Sequence, residues 1–340
     1  MSAALTPLVA NYRGVICDLD GVVYRGSKEV PGAIAALNTV VAGVPVAFAT
    51  NNASRPPATV VHHLRRLGLE PAAWSVVTSA QAAAAYLAGR LSPGTPVLAV
   101  GGPGVAEGLT EAGLTPLGVT ELSGTTAVEA VVQGAGLEVS WRELAEVGYL
   151  VQAGAIWVAT NLDATIPTSR GQAPGNGALV GAVRTTTPAV PHVTGKPDAA
   201  LFDFARSRLG IERDATIVVG DRLETDIAGA RSAGLDSMFV LGGSSTLQDL
   251  AFAEKNSRPT YFAFSLCGLL QPGLCRLAQT DGIVDLTPAG ALAVLEAVEP
   301  RRLLQAVITL AWDTLDRGRA LLDDEAMWTD LEHRLGVIRP

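Results

Sequence analysis

The chain has 340 residues, 48% of them hydrophobic and only 17% charged, with a formal net charge of −8. That length predicts two or three domains with ample apolar material for buried cores, and the low charge content excludes long disordered tracts. The acidic balance argues against nucleic acid as a partner. Cys17, Cys267 and Cys275 are too few for a disulfide framework and lack metal-ligand spacing. No basic-then-apolar leader and no long apolar run is found, so the expectation is a cytoplasmic protein with no membrane partner.

Gly14–Cys17 is an apolar run that meets Asp18, Asp20 and Gly21. Such a run, bounded by a turn signal, predicts a buried strand of a parallel sheet. Pro31 to Ala42 predicts a helix, with proline opening it and Gly43 just beyond. Val44 to Ala49 is a second strand that runs into Thr50-Asn51-Asn52, and Arg55 to Leu67 is a helix stopped at Gly68. Val76-Val77 and an Ala-rich helix over Ser79 to Leu87 follow. Pro96 to Val100 predicts another strand, after which Gly101-Gly102-Pro103-Gly104 leads into a helix ending near Gly113. Without the full Gly-x-Gly-x-x-Gly spacing, these glycines predict a turn rather than a dinucleotide site. Strands over Ala127 to Val132 and Ala155 to Ala159 flank a helix around Trp141 to Val147. Beyond a proline-rich seam from Pro188 to Pro197 come a helix to Leu209, a strand over Ala215 to Val219, a helix over Ile227 to Ala233 and a strand over Ser237 to Leu241. From Asp281 onward the pattern is helical, with Ala289 to Val298, Arg301 to Leu322 and Glu325 to Leu335 as the expected helices. Alternation of this kind predicts an α/β fold with a Rossmann-like, doubly wound parallel sheet.

Open sheets of this type place their chemistry outside the carboxyl ends of the strands. Four pieces sit at such termini: Asp18-x-Asp20, Thr50-Asn51-Asn52, Gly195-Lys196-Pro197, and Gly220-Asp221 with Asp226 after it. A carboxylate can attack phosphorus and form an aspartyl phosphate. An anion attacking an anion needs positive charge, which Mg²⁺ on a few carboxylates and Lys196 would supply. The Thr50 hydroxyl and nearby backbone amides can hold phosphate oxygens. A second acid must protonate the leaving alkoxide and then activate water, and Asp20 lies at a suitable distance from Asp18 for that.

These residues resemble the haloacid dehalogenase superfamily of phosphatases, whose four motifs match Asp18/Asp20, Thr50, Lys196 and Asp221/Asp226 in order. Neighbouring text is similar to its NagD-like and p-nitrophenylphosphatase-like branch, at Asp18 to Gly26, Ala159-Thr160-Asn161-Leu162-Asp163 and Pro174 to Leu179. The resemblance covers about residues 14 to 265 and implies the roles. Asp18 would be the nucleophile and a metal ligand. Asp20 would be the acid/base, with its carbonyl on the metal. Thr50 and Lys196 would hold the phosphoryl group. Asp221 would complete the Mg²⁺ site, and Asp226 would bind a metal-bound water or orient Lys196. Asn51 and Asn52 are candidate substrate contacts.

Thr50 follows Asp20 by 30 residues, room for a small flap and one helix, whereas 145 lie between Thr50 and Lys196. The surplus is domain-sized. In the family it implies a C2-type cap that closes over the site and sets substrate choice. The expected organisation is a core domain of residues 1–86 and 190–265, a cap of 87–189, and a mostly helical extension of 266–340. Asn161 and Asp163 are the cap residues expected to meet the substrate, a small phosphorylated metabolite. The part after residue 265 resembles an extension on actinobacterial members, glycerol 3-phosphate phosphatases among them. That likeness favours glycerol 3-phosphate, with phosphoglycolate or another small sugar or polyol phosphate as the alternative. A non-catalytic phosphometabolite sensor is the competing class. The C-terminal helices either cover the core or form a subunit interface, which leaves a homo-oligomer open.

Overall fold

The apolar run Gly14–Cys17 forms the first strand, β1, in a computed structural model that describes residues 6–123, 127–168, 170–280 and 282–337. A hairpin of β2 (Tyr24–Arg25) and β3 (Lys28–Glu29) and helix α1 (Ala33–Val41) follow. Then come β4 (Val46–Thr50), α2 (Pro57–Arg66), β5 (Trp74–Thr78) and α3 (Ser79–Ala88). The middle of the chain forms β6 (Pro96–Val100), α4 (Pro103–Glu111), β7 (Thr115–Leu117), β8 (Ala130–Gln133), α5 (Trp141–Gln152) and β9 (Ile156–Ala159). A second hairpin, β10 (Thr165–Thr168) and β11 (Gly171–Pro174), leads to α6 (Asn176–Arg184) and β12 (His192–Val193). After α7 (Ala199–Leu209) and β13 (Thr216–Gly220), a π-helical turn over Leu223–Ile227 runs into α8 (Ala228–Ser232). The chain continues through β14 (Asp236–Val240), α9 (Leu247–Phe252) and β15 (Tyr261–Ala263). It then forms hairpin β16 (Val284–Leu286) and β17 (Leu292–Val294), α10 (Pro300–Asp316) and α11 (Glu325–Leu335).

Contacts divide the chain into two units, one of Met1–Val46, Leu69–Ala73 and Ile211–Pro340, the other of Ala47–Gly68 and Trp74–Gly210. In the first, strands run in the order β15-β14-β13-β1 and each neighbouring pair is parallel. Gly14 pairs with Thr216 and Cys17 with Val219, and the Asp18 N–H donates to the Val219 carbonyl at 2.8 Å. Every residue of β1 and β13 is buried, as expected of a sheet covered on both faces. The same unit holds an apolar cluster in which Phe239, Leu247 and Leu250 pack with Leu304, Ile308, Trp312 and Trp328 of the C-terminal helices.

The second unit has a five-stranded parallel sheet in the order β12-β9-β8-β6-β7, and β4 and β5 are neighbours within the unit. The Ala-rich α3 offers small side chains that let neighbours approach closely. Ala80, Ala83, Ala84 and Leu87 share a core cluster with Val97, Val105, Val132 and Val158. Gly102, from the glycine-rich run, packs against the backbone of Ser54, where a Cβ would collide, so this glycine serves close backbone approach.

The expected helix over Ala289 to Val298 is instead the turn and second strand of the β16–β17 hairpin. Thr287 N–H donates to the Ala291 carbonyl at 2.9 Å and Gly290 adopts φ +85°, a conformation that ends any helix there. Helix α10 likewise stops at Asp316, because Gly318 turns left-handed and the Arg319 N–H returns to the Thr314 carbonyl. Glu325–Leu335 is helical over the expected span. The short β7, β10, β11, β12 and β15 and the helices α6 and α9 have no periodic run long enough to mark them.

Candidate active site

Two neighbouring strand ends of the first unit and the turn after one of them build a cluster of carboxylates. Asp18 follows β1, Asp221 follows β13, and Asp226 lies in the π-helical turn that succeeds it. One carboxylate oxygen from each lies within 4.8 Å of the other two. The π turn displaces Asp226 from the regular helical path, and such turns recur at functional sites. Its Oδ2 accepts the Arg222 N–H at 3.1 Å. Asp226 is 1% and Asp221 0% exposed, whereas Asp18 is half-buried.

Asp221 is the most constrained of the three. The loop after β14 wraps it: the Ser244 N–H donates to Oδ2 at 2.6 Å, and the Ser245 N–H donates to its carbonyl at 3.1 Å. A Cβ on Gly21 or Gly243 would run into this carboxylate, so both positions need glycine for close approach. Burial, followed by the Asp226 charge, pushes Asp221 up to about 6, with Ser244 acting in the opposite sense. Its Oδ1 is buried and has no hydrogen-bond partner among the described residues. A buried anionic oxygen left unpaired is costly. An all-oxygen cluster of this kind, with one oxygen held by a backbone amide and another orphaned, fits a hard divalent cation such as Mg²⁺.

Asp20 is exposed at the turn that starts the β2–β3 flap, where the Gly21 N–H donates to the Tyr24 carbonyl at 2.8 Å. It lies outside the carboxylate cluster.

The second unit gathers Thr50, Asn51, Asn161, Asp163 and Lys196. Asn51, just past β4, is the hub. Its Oδ1 accepts the Lys196 N–H at 2.8 Å, and its Nδ2 donates to the Lys196 carbonyl at 3.1 Å and to Asp163 Oδ1 at 3.3 Å. Its carbonyl accepts from Asn161 Nδ2 and from Ser79 Oγ, each at 2.8 Å. Asn161 Oδ1 in turn accepts the Asp163 N–H at 3.1 Å, so both polar ends of Asn161 hold backbone. Thr50 Oγ1 accepts the Asn52 N–H at 3.1 Å, and Asn52 Oδ1 accepts the Ser54 N–H and hydroxyl, which makes the strand end a tight polar turn. Lys196 is 4% exposed. Asn176 opens α6 and donates Nδ2 to the carbonyls of Asn161 and Gln133.

Ser244 and Ser245, whose amides hold Asp221, are residues that the motif reading missed. The signal was available: Gly242-Gly243-Ser244-Ser245-Thr246 follows an apolar strand directly, the place where open sheets put their chemistry.

Residues 15–115 match the model of the haloacid dehalogenase-like hydrolase family, and residues 193–269 match a second HAD-hydrolase-like model. The chain is 44% identical over 257 residues to the D-glycerol 3-phosphate phosphatase of Mycobacterium tuberculosis, covering 76% of this chain and 70% of that protein. It is 36% identical over 251 residues to the acid sugar phosphatase of Staphylococcus aureus, covering 74% and 93%. Its structure is similar to that of a glycerol phosphate phosphatase from M. tuberculosis in complex with magnesium, with a TM-score of 0.84, 37% identity and coverage of 98% and 100%. A 4-nitrophenylphosphatase from Thermotoga maritima is also similar, with a TM-score of 0.68, 26% identity and coverage of 77% and 98%. The chain belongs to the haloacid dehalogenase-like hydrolase family and is an enzyme of its phosphatase group. Parallel sheets flanked by helices, a cap and a mostly helical C-terminal part make up its fold. No described helix is long and apolar enough to cross a membrane.

Proposed function

We propose that the chain is a Mg²⁺-dependent phosphatase for a small polyol phosphate, glycerol 3-phosphate. The observation that carries this substrate is the 44% identity to a D-glycerol 3-phosphate phosphatase. Mg²⁺ as the ion is supported by the all-oxygen carboxylate cluster and by the likeness to a phosphatase crystallised with magnesium. Asp18, Asp221 and Asp226, with the Asp20 carbonyl, would hold the ion, which when bound neutralises phosphate charge.

In the reaction we infer, an Asp18 carboxylate oxygen attacks phosphorus and the ester P–O bond breaks. Asp20 gives its proton to the departing alkoxide, leaving an aspartyl phosphate on Asp18. Asp20 then takes a proton from water as the water attacks phosphorus, which releases phosphate and restores Asp18. Thr50 and Lys196 hold phosphoryl oxygens, by hydroxyl donation and by point charge. Asn51 fixes the Lys196 backbone from both sides, and Asn52 shapes the adjoining turn. Asp163 meets the substrate, and Asn161 positions Asp163 through its N–H. Residues 87–189 would serve as the cap. The protein acts in the cytoplasm without nucleic-acid or membrane partners, and the C-terminal helices leave room for self-association.

Phosphate release tests this with a panel of glycerol 3-phosphate, phosphoglycolate and acidic sugar phosphates, with and without Mg²⁺. Turnover should be fastest on glycerol 3-phosphate and should vanish with chelator or in Asp18→Asn. Acidic sugar phosphates are the second reading, because a relative at 36% identity is named for that activity. Their turning over faster would replace the first reading. Hydrolysis that survives both chelation and Asp18→Asn would end the mechanism.

A further inference from the structure

We propose that Glu332, in the last helix of the chain, is a positioning residue for the metal carboxylate Asp221, acting through the loop over residues 242–246. Glu332 is 5% exposed and its Oε1 accepts the Leu247 N–H at 3.2 Å. Leu247 opens α9, and the first amides of a helix have no intrahelical acceptor. The capping box at this end takes up other groups: Thr246 Oγ1 accepts the Asp249 N–H at 3.1 Å, and Asp249 Oδ2 accepts the Thr246 N–H at 2.7 Å. Glu332 takes an amide that this box leaves over.

The C-terminal helices and the segment joining them hold α9 in other ways too. Trp312 Nε1 donates to the Leu250 carbonyl at 2.8 Å, and the Gln248 amide donates to Asp323. Leu247 and Leu250 are buried in the same cluster as Leu304, Ile308 and Trp328. Burying a carboxylate beside such a cluster is unfavourable unless it is hydrogen-bonded, so the Leu247 amide gives Glu332 a reason to be there.

The residues just before Leu247 are the ones that hold Asp221. Ser244 and Ser245 give their amides to its Oδ2 and its carbonyl. Ser245 Oγ accepts the Leu223 N–H at 3.2 Å, which ties the loop to the π turn bearing Asp226. With Oδ2 fixed by Ser244, the orphaned Oδ1 is the oxygen left for a cation. Groups one step out from a ligand orient it and strengthen the site. Glu332 anchors the downstream end of that loop, so the C-terminal helix sets how sharply Asp221 is held.

This inference rests on Asp221 being a ligand of Mg²⁺. Its test uses the full chain, with Mg²⁺ affinity from calorimetric titration and amide exchange over residues 243–247 as readouts that need no turnover. Glu332→Met keeps roughly the side-chain volume and removes the acceptor. Loss of a direct neighbour of a ligand weakens metal binding about 10–100-fold, and from one loop away the low end, about tenfold, is expected. The Ser244 amide should exchange faster as well. Glu332→Gln keeps an acceptor and should restore both readouts, while Arg334→Ala, which only breaks the exposed pair with Asp330, should change neither. Unchanged Mg²⁺ affinity and Ser244 exchange in Glu332→Met would overturn the proposal. Coupling is reciprocal, so Mg²⁺ added to the wild-type chain should slow exchange at Leu247. Absence of that slowing overturns the proposal even where the methionine variant does not fold. Asp221→Asn separates the two ideas. If it binds Mg²⁺ as tightly as wild type, the ligand assignment fails and the proposal with it. If it loses Mg²⁺ while Glu332→Met does not, the proposal alone falls.

Discussion

Asp221 combines burial, a like-charged neighbour and a single donor on one oxygen, and its proton affinity follows from that. Its carboxyl titrates at about 6 in the folded chain, above the ordinary carboxylate range. The stability this raised value contributes is present at low pH and is lost as pH rises through about 6. Mg²⁺ competes with that proton, so the rise in Tm on adding Mg²⁺ should be larger at about pH 7.5 than at about pH 5. Equal shifts at both would remove Asp221 from the metal site. The Asp20 side chain is expected to act on the proton alone, its carbonyl being the part that meets the ion, so Asp20→Asn should cut kcat by about 10²–10⁴-fold with Mg²⁺ affinity much less affected. Asn51 is a joint rather than a reagent. Asn51→Ala should cost about 1–3 kcal/mol in urea unfolding, because it strands the Lys196 backbone N–H and carbonyl that Asn51 satisfies.

Elements whose signal is local came out of the sequence as folded. The strands before Asp18 and Asp221 each have an apolar run with a clear stop, and the helix at Glu325–Leu335 has Trp328, Leu331 and Leu335 at helical spacing before Gly336. The β16–β17 hairpin did not, because Ala289 to Val298 has apolar residues that satisfy helical and strand spacing alike over so short a length. What selects the strand is the turn at Gly290, whose Cβ would meet the Ala320 carbonyl at 2.9 Å. Gly290→Ala should therefore lower stability by about 1–2 kcal/mol, read from the denaturation midpoint, while Mg²⁺ affinity stays unchanged. The π turn at Leu223–Ile227 was likewise not expected, the predicted helix beginning only at its last residue, Ile227, since hydrophobic spacing does not mark one extra residue in a turn.

The C-terminal helices are part of the first unit's core rather than an attachment to it. Leu304, Val307, Ile308, Trp312 and Trp328 are buried with Phe239, Leu247, Leu250 and Phe262. A chain cut before Pro300 would expose that face as one contiguous apolar patch. Such a truncation should accumulate as insoluble material. Recovery of a soluble, cooperatively melting product would show that the sheet completes its core without α10 and α11.

Composition, hydrophobic period and turn residues were enough to place carboxylates at the ends of parallel strands and to order the four motifs along the chain. Those signals are short-range, and each is carried by a handful of consecutive residues. The pairings that make the sites are not. Asn51 holds Lys196 across 145 residues, and Glu332 reaches Leu247 across 85. No spacing rule links such positions, because the path between them is set by how strands and helices pack. Folding alone brought Ser244 onto one oxygen of Asp221, left the other unpaired, and put the last helix of the chain behind the loop that holds it.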